Sequence, residues 1–419
     1  MTYDLAVIGA GPGGYDTAVE CARLGLKVAL VEKRDLGGTC LNRGCIPTKL
    51  WLGATSAIEE LHNQARMKVA SGEVTVDFAA LQDRVQKHLA GTRKAMAAQL
   101  GQFDVNLFRG TGRLAGTGKV VVAGEGGETE LSCKDVVVAT GSRPTFFPGL
   151  TPDGDCVLDS DMFLAQMAMP SSLIVVGAGF IGLEMAQVAH RFGAKITVID
   201  AMDRVAPLED PEVSKALGSV FKRWKWDIRL SERVAGVATV DGRAELTLST
   251  REKLTADKIL VAVGRGPVTE NIGLRRSGLE LQFNKVVVNK FLEAAPHVYA
   301  IGDANGHIQL AHAASHQARY VALRLAGKTD KPYASGPVPS VLYGAPEVMR
   351  VGLTESEAFL ADFDTTESSR AMLAANPMAQ AHAATQGFVK VIWSAGKVVG
   401  VTAVGHDVSR LCTAATMIV

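Results

Sequence analysis

The sequence predicts an α/β protein in which two similar units are followed by a smaller α+β unit. Three observations support this prediction: a glycine-rich turn that occurs twice, a pair of apolar segments that each close one repeat, and a change of character toward the C-terminus. With 419 residues and a hydrophobic content of 47%, the chain can form two or three domains with buried cores.

An internal repeat organises most of the chain. Positions 4–14, DLAVIGAGPGG, correspond to positions 172–182, SLIVVGAGFIG, and the match continues at the same offset to Glu32 and Asp200. Each copy has the pattern of a strand, a tight turn, a helix and a second strand that ends in an acidic residue. This is the pattern of a Rossmann-like dinucleotide-binding domain.

The three glycines of each turn have separate physical roles. The first permits the tight turn, the second lets backbone N–H groups approach a pyrophosphate, and the third allows the helix to pack closely on the strand. The acidic residue at the end of the second strand would accept hydrogen bonds from ribose hydroxyls. The repeat therefore predicts two dinucleotide sites, with these glycines: Gly9, Gly11 and Gly14, then Gly177, Gly179 and Gly182.

Two similar apolar segments, at 136–144 and 259–267, predict the strands that close the two repeats. A further apolar strand at 298–301 ends in Gly302-Asp303, where Asp303 would either cap the following helix or accept hydrogen bonds from a polyol. These features indicate the following domains: 1–145 and 268–334 for the first dinucleotide, 146–267 for the second, and 335–419 for the last unit.

The last unit begins in a proline-rich stretch and contains β-branched runs at 388–392 and 398–404, which predict an α+β domain. Elsewhere, residues 77–100 have helical periodicity, and residues 107–122 with the glycine-rich turn that follows them resemble a hairpin.

Composition argues against several classes of function. The chain has 44 Lys plus Arg and 43 Asp plus Glu, so no strong field favours nucleic acid or an anionic membrane. The N-terminus has no basic segment ahead of a long apolar run, so a cytoplasmic location is expected. Six cysteines are too few for a disulfide framework, and we interpret four of them as packing residues: Cys21, Cys133, Cys156 and Cys412.

The other two cysteines, Cys40 and Cys45, lie in the loop GGTCLNRGCIPTK at 37–49, which suggests redox chemistry or a metal. No nearby Cys or His pair would complete a zinc site. In a regular helix five residues rise about 7.5 Å, beyond the ~4.4–6.8 Å between Cα atoms of a disulfide. The pair can therefore close only if the segment departs from an ideal helix. A helix that begins near Pro47 would also lower the pKa of a nearby thiol.

This loop and both glycine turns resemble the pyridine nucleotide-disulfide oxidoreductases, from Tyr3 to the last residue. Within this family the CLNxGCIP form is similar to the dihydrolipoyl dehydrogenases, whereas glutathione and mercuric reductases more often have valine at the positions of Leu41 and Ile46. The resemblance implies oxidation of a protein-bound dihydrolipoyl group with reduction of NAD, with FAD as the second cofactor. It also implies a homodimer that serves a 2-oxoacid dehydrogenase or glycine-cleavage complex.

The resemblance further implies roles for individual residues. Cys40 would be the interchange thiol that meets the substrate, and Cys45 the thiol beside the flavin. Lys49 would lie near the flavin ring, paired with Glu184, although the two could instead form a surface ion pair. Asp200 would favour NAD by repelling a 2′-phosphate, and nearby Arg204 keeps NADP as the alternative.

The remaining implied residues divide between the two cofactors. Phe180 is where relatives place the residue that covers the flavin face, and a plain packing role is its alternative. The FAD residues are Gly9, Gly11, Gly14, Glu32, Gly38, Thr39, Lys49, Gly112, Thr140, Gly141, Asp303 and Ala311. The NAD residues are Gly177, Gly179, Phe180, Ile181, Gly182, Asp200, Val234 and Gly264.

One departure from the family pattern is the absence of a His-Pro segment, which in relatives supplies the acid/base across the dimer. We therefore expect that the gene product continues beyond Val419 and that the interface domain is incomplete here. His406 is predicted to be a surface or turn residue. Two alternative functions remain: a mercuric- or glutathione-type reductase, and a flavin-binding assembly subunit with impaired turnover.

Overall fold

The computed structural model describes residues 2–274, 277–361 and 366–419. Each repeat begins with a strand, a helix and a second strand, as the sequence predicts, and longer runs of consecutive strands lie further along the chain. The strands are β1 (Thr2–Ile8), β2 (Val28–Glu32), β3 (Asn106–Arg109), β4 (Thr111–Leu114), β5 (Lys119–Gly124), β6 (Gly127–Val138), β7 (Ser142–Pro144), β8 (Val157–Leu158), β9 (Ser172–Val176), β10 (Lys195–Asp200), β11 (Asp227–Leu230), β12 (Val234–Val240), β13 (Arg243–Leu248), β14 (Lys253–Ala256), β15 (Lys258–Val261), β16 (Arg265–Pro267), β17 (Leu281–Gln282), β18 (Lys285–Val286), β19 (Glu293–Ala295), β20 (Val298–Ala300), β21 (Ser340–Leu342), β22 (Glu347–Gly352), β23 (Thr366–Met372), β24 (Phe388–Ser394) and β25 (Lys397–Gly405).

The helices follow the strands in both repeats and are shorter in the last third of the chain. They are α1 (Pro12–Arg23), α2 (Gly38–Arg43), α3 (Cys45–Ala54), α4 (Ser56–Arg66), α5 (Phe78–Gln102), α6 (Ser160–Leu164), α7 (Phe180–Arg191), α8 (Pro211–Arg223), α9 (Ala311–Leu325), α10 (Glu355–Leu360), α11 (Pro377–Ala381) and α12 (Cys412–Ile418). Short 3-10 turns lie at Gly302–Ala304, Leu373–Ala375 and Val408–Leu411. Among the described residues, no helix is both long and apolar enough to cross a membrane.

The chain folds into two units, each built from three segments. The first contains Met1–Pro47, Arg84–Arg143 and Arg265–Gly336, and the second contains Thr48–Asp83, Pro144–Gly264 and Pro337–Val419. The helical segment 48–83 therefore groups with the second unit. The functional domain boundaries stated above remain predictions.

The first unit is built on a sheet with the order β19-β20-β6-β1-β2-β3. Strand β1 is parallel to β2 and β6, and its side chains alternate between two cores. Leu5 and Val7 enter one core, and Ala6 and Ile8 enter the other. A parallel strand covered on both faces must be apolar on both, which explains the nearly continuous apolar run in its sequence.

The predicted hairpin at 107–122 is only partly correct. Strand β3 pairs in parallel with β2, whereas β4 and β5 form an antiparallel hairpin, and β5 and β6 form another across the glycine-rich turn. The β-branched and apolar residues of this region suit either kind of strand, so local sequence could not identify the partner of β3.

The second unit contains a parallel sheet with the order β11-β10-β9-β15-β8, which repeats the arrangement of the first unit. The antiparallel strands β12, β13 and β14 follow. The C-terminal part forms an antiparallel sheet with the order β21-β22-β25-β24-β23. The predicted strand runs at 388–392 and 398–404 are confirmed as parts of β24 and β25, and the predicted α+β character of this region is confirmed.

Candidate active site

The first glycine turn connects β1 to α1. Gly9 has φ +103°, and a side chain there would collide with the carbonyl oxygen of Ala139. A side chain at Gly14 would collide with the carbonyl oxygen of Gly9. At Gly11, by contrast, the nearest atom to an added Cβ lies 3.9 Å away. The outer glycines therefore serve the fold, and the middle one leaves room for an approaching ligand.

Glu32, at the end of β2, binds the same turn. Its carboxylate accepts hydrogen bonds from the backbone N–H groups of Ala10 at 2.8 Å and Arg34 at 2.7 Å. A carboxylate has about four acceptor positions, so about two remain for ribose hydroxyls.

The second glycine turn repeats this geometry. Gly177 has φ +109°, and a side chain at Gly182 would collide with the Gly177 carbonyl oxygen. Asp200 accepts hydrogen bonds from the N–H groups of Ala178 at 2.6 Å and Met202 at 2.8 Å. The two hydrogen-bonded partners are the sequence equivalents of those around Glu32, so the repeat extends from sequence to hydrogen bonding.

Arg204 is held by its own loop. It donates a hydrogen bond to the carbonyl oxygen of Pro207 at 2.9 Å and lies 3.9 Å from the carboxylate of Asp203. In this position its charge is partly balanced by Asp203, which weakens the case for Arg204 as a partner of a 2′-phosphate.

The cysteine loop is a broken helix. Cys40 lies in α2, Cys45 begins α3, and Gly44 between them has φ −157° and ψ −108°, far from helical values. The predicted departure from an ideal helix is thus confirmed. Both cysteines are partly exposed, and Pro47 lies in the first turn of α3, as predicted.

The cysteine loop also packs directly on the first glycine turn. A Cβ added to Gly38 would lie 2.6 Å from the Cα atom of Gly11. Asn42 anchors the loop by donating hydrogen bonds to the carbonyl oxygens of Leu36 and Gly38, both at 2.9 Å, and it accepts one from Arg93 at 2.8 Å. Glycine at position 38 is required because any side chain would separate the two loops.

Asp303 does not cap α9, whose N-cap is Leu310. It lies in a 3-10 turn and accepts a hydrogen bond from Ser142 Oγ at 2.5 Å. Burial raises the pKa of Asp303, and the bond from Ser142 and the charge of Arg265 oppose that rise. Thr140 Oγ1 donates to the carbonyl oxygen of Val268 at 2.6 Å.

The structure groups the predicted site residues by unit. The first unit contains those predicted for FAD, apart from Lys49, together with both cysteines: Gly9, Gly11, Gly14, Glu32, Gly38, Thr39, Cys40, Cys45, Gly112, Thr140, Gly141, Asp303 and Ala311. The second contains those predicted for NAD and the Lys49–Glu184 pair: Lys49, Gly177, Gly179, Phe180, Ile181, Gly182, Glu184, Asp200, Val234 and Gly264.

Lys49 and Glu184 form a close ion pair. Lys49 Nζ lies 2.9 Å and 2.7 Å from the two carboxylate oxygens of Glu184. The side chain of Glu184 is only 6% exposed, and that of Lys49 is 34% exposed. Burial raises the pKa of Glu184, and Lys49 opposes the rise. The alternative of a surface ion pair is wrong, because the carboxylate is buried.

A cavity of about 1390 Å³ lies in the second unit and was not predicted from sequence. Lys49 and Tyr343 line it, with a group of histidines that includes His190, His382 and His406. The His382 and His406 rings are 4.5 Å apart, so His406 is partly buried in a turn rather than fully exposed. Burial lowers the pKa of His190 to about 4, which keeps this imidazole neutral near pH 7.

Comparison with known families accounts for this architecture. A family model described as pyridine nucleotide-disulphide oxidoreductase matches residues 3–318, and a model of the dimerisation domain of the same family matches residues 338–419. The chain belongs to this family. It is therefore an oxidoreductase that carries the family's dimerisation domain.

Relatives narrow the assignment within the family. The chain is 37% identical to a dihydrolipoyl dehydrogenase of Chlorobaculum parvum, with 98% of this chain and 89% of the relative covered. It is also 37% identical to dihydrolipoyl dehydrogenase 3 of Pseudomonas putida, with coverage of 98% and 90%. The resemblance to the dihydrolipoyl dehydrogenases is confirmed by these matches.

Solved structures agree with the fold. LpdA from Mycobacterium tuberculosis superposes with a TM-score of 0.91 at 25% identity, covering 99% of this chain and 92% of that one. The HOCl-induced flavoprotein disulfide reductase RclA from Escherichia coli, as a Cu(II) complex, gives a TM-score of 0.89 at 25% identity, with coverage of 100% and 92%. The predicted fold class, with FAD, NAD and dimerisation domains, is confirmed.

The dihydrolipoyl dehydrogenases use FAD and NAD, and the residues present fit both cofactors. Neither Gly11 nor Gly179 would place an added Cβ within 3.4 Å of another atom, and Gly141 is equally open. Each turn also has an acidic residue with acceptor positions left for a ribose. Among the described residues, no cluster of three or more His, Cys, Asp or Glu side chains is arranged to hold a metal ion.

Proposed function

We propose that the chain oxidises a protein-bound dihydrolipoyl group to lipoyl with reduction of NAD, using Cys40 and Cys45 as a redox-active pair. The observation that carries this proposal is the packing of Gly38 on Gly11, because it brings the broken cysteine helix against a dinucleotide turn. The similarity to dihydrolipoyl dehydrogenases supports the choice of substrate.

In the oxidised enzyme, a substrate thiolate attacks Sγ of Cys40, and the Cys40–Cys45 bond breaks. Cys45 leaves as a thiolate at the N-terminus of α3, where the helix dipole stabilises negative charge. The second substrate thiol then loses its proton, attacks the mixed disulfide and releases Cys40. The substrate has lost two electrons, which the cysteine pair has gained, and two protons, which pass to solvent.

FAD, when bound, would take the electron pair from the reduced cysteines, and NAD would carry it away as hydride. The protein itself positions the reacting groups and supplies charged side chains to the site. Lys49 supplies a positive charge that Glu184 holds in place. Asp200 would accept hydrogen bonds from a free 2′-hydroxyl and repel a 2′-phosphate, which favours NAD over NADP.

A homodimer and a lipoyl-carrying partner are part of this proposal. The dimerisation domain at residues 338–419 supports the homodimer. The dihydrolipoyl dehydrogenase relatives support a role in a 2-oxoacid dehydrogenase or glycine-cleavage complex. A cytoplasmic location is also proposed, because the chain has too few cysteines for the disulfide framework of a secreted protein.

Steady-state assays of the purified holoprotein test the proposal directly. NAD reduction by dihydrolipoamide is compared with oxidation of NADH and NADPH by oxidised glutathione and by mercuric ion. We expect kcat/KM for dihydrolipoamide to exceed the other values at least about tenfold, or ~1.4 kcal/mol in barrier. A preference for glutathione or mercuric ion would replace the proposed substrate, and bound flavin without turnover would favour an assembly subunit.

A further inference from the structure

The Lys49–Glu184 pair has a third partner that neither the motifs nor the family resemblance indicated. The backbone N–H of Tyr343 donates a hydrogen bond to Glu184 Oε1 at 2.9 Å. The aromatic ring of the same residue lies beside the ammonium group, with Lys49 Nζ 4.9 Å from the ring centroid. Tyr343 therefore contacts both members of the ion pair, one through its backbone and the other through its ring.

The backbone around Tyr343 is held on α7 at two points. Gln187, one helical turn beyond Glu184, accepts a hydrogen bond from the N–H of Ala345 at 2.8 Å. Gly344 lies between these two hydrogen bonds, and a side chain there would collide with the amide of Gln187. The backbone that carries the Tyr343 ring is thus anchored on α7, which also carries Glu184.

The charge distribution explains why a ring is useful here. Lys49 and Tyr343 line the cavity, whereas Glu184 lies behind them and is almost completely buried. A lysine has four flexible methylene groups, so one carboxylate alone leaves its head free to turn toward the cavity. A cation–π contact on the open side favours the ammonium position beside Glu184.

We propose that Tyr343 is a positioning residue, whose ring confines the Lys49 ammonium group between the ring and the Glu184 carboxylate. This proposal rests on the proposed function, in which Lys49 supplies the positive charge that the family resemblance implies near the flavin ring.

The test compares Tyr343→Leu with Tyr343→Phe in the holoprotein. Leucine removes the ring but keeps the backbone hydrogen bond, and phenylalanine keeps both. We expect Tyr343→Leu to lower kcat for dihydrolipoamide oxidation about fivefold, with KM values changed less than about twofold, since loss of the cation–π contact leaves the Lys49 ammonium group less confined. We expect Tyr343→Phe to restore most of kcat. Equal losses in the two variants would overturn the role of the ring.

A second readout does not depend on turnover. The visible absorption and circular dichroism of the bound flavin respond to a nearby charge, so Lys49→Met should alter both. Tyr343→Leu should alter them in the same direction, and it should have little further effect in the Lys49→Met background. Additive changes, or an unchanged spectrum in Tyr343→Leu, would show that Tyr343 does not act through Lys49. Tyr343→Met replaces the leucine variant if the latter does not retain flavin.

The proposed substrate and the positioning role of Tyr343 can be rejected independently of each other. A wild-type protein that is inactive with dihydrolipoamide but shows non-additive spectral changes would reject the substrate and support the positioning role. An active wild-type protein whose kcat and flavin spectra are unchanged by Tyr343→Leu would support the substrate and overturn the positioning role.

Discussion

Glu32 and Asp200 each stabilise a glycine turn through backbone hydrogen bonds. Each accepts a hydrogen bond from the glycine turn that precedes its strand in the sequence, and a second from the backbone two residues further on. The ribose role predicted from sequence would add to this structural role. Removing the negative charge of Asp200 should change the preference between NAD and NADP. Removing the oxygen atoms that accept these hydrogen bonds should destabilise the glycine turn.

We predict that Asp200→Asn narrows the preference for NAD over NADP about tenfold, or ~1.4 kcal/mol, because it removes the repulsion of the 2′-phosphate. The ratio of kcat/KM for NADH and NADPH, measured with a fixed electron acceptor, checks this. Glu32→Gln is the matched control, since it makes the equivalent change in the first repeat and should leave the ratio unchanged. An equal ratio in wild type and Asp200→Asn would show that this carboxylate does not face the ribose.

Cys45→Ser should retain flavin and lose dithiol turnover, because no disulfide can form and no thiolate remains at the start of α3. Cys412→Ser is the control, because Cys412 lies outside the cysteine loop, and we expect it to keep nearly the wild-type rate. Flavin content and the rate of NAD reduction by dihydrolipoamide are measured for both. A rate in Cys45→Ser above about a tenth of wild type, or ~1.4 kcal/mol of barrier, contradicts the redox assignment.

At the scale of elements, the glycines of each turn have two different roles: some are required by the fold, and one leaves room for a ligand. The third glycine of the second repeat, Gly182, lies against the backbone of Gly177 and within 2.9 Å of a Val175 methyl group, measured from an added Cβ. The middle glycine, Gly179, has no neighbour within 4 Å of an added Cβ. The same type of residue is therefore required at two positions of one turn for different reasons.

This difference predicts that two alanine substitutions affect different properties, one the stability of the fold and the other the binding of NADH. Gly182→Ala should lower the free energy of unfolding by about 2 kcal/mol, because α7 must move away from β9. Gly179→Ala should change it by less than about 0.5 kcal/mol and weaken NADH binding, because the methyl group occupies the ligand's approach. Urea unfolding and NADH titration of both variants distinguish the roles. Similar losses of stability in the two variants would contradict this division.

At the scale of the whole molecule, a buried lysine connects elements that are distant in sequence within the second unit. Lys390 of β24 lies 2.9 Å from Asp210, at the N-cap of α8, and 2.9 Å from Glu355 of α10. The side chains of Lys390 and Asp210 are only 4% and 2% exposed. Removing one partner of such a pair leaves an uncompensated buried charge.

Lys390→Met should therefore lower the free energy of unfolding near pH 7 by about 3 kcal/mol. Lys253→Met, which removes an exposed pair with Glu245, is the control and should cost less than about 1 kcal/mol. A cost for Lys390→Met no larger than that of the control would show that the network is not stabilising.

The hydrogen bond from Lys390 is the largest cause of the lowered pKa of Glu355. A carboxyl group with a lowered pKa stabilises the fold above its unfolded pKa of about 4.5, and this contribution is lost as the pH falls further. The difference in free energy of unfolding between wild type and Lys390→Met should therefore become smaller below that pH. A difference that stayed constant into acid would contradict the assigned cause.

The features predicted correctly from sequence depend on few, contiguous residues. The first glycine of each turn has a positive φ that favours glycine, and the acidic residues end their strands at the spacing that the repeat gives. The partner of β3 could not be predicted in this way, because β3 is only four residues long, with two apolar residues, and so short a strand fits a parallel sheet or a hairpin equally well.

The sequence by itself thus determined the two dinucleotide folds, the α+β character of the last unit and the place of the cysteine pair, because local steric and hydrogen-bonding rules specify each of them. Only the tertiary structure revealed the burial of Glu184, the packing of Gly38 on Gly11 and the contacts of Tyr343. Glu184 and Tyr343 are 159 residues apart in the chain. Their contact depends on the packing of whole elements, and no local pattern of residues records it.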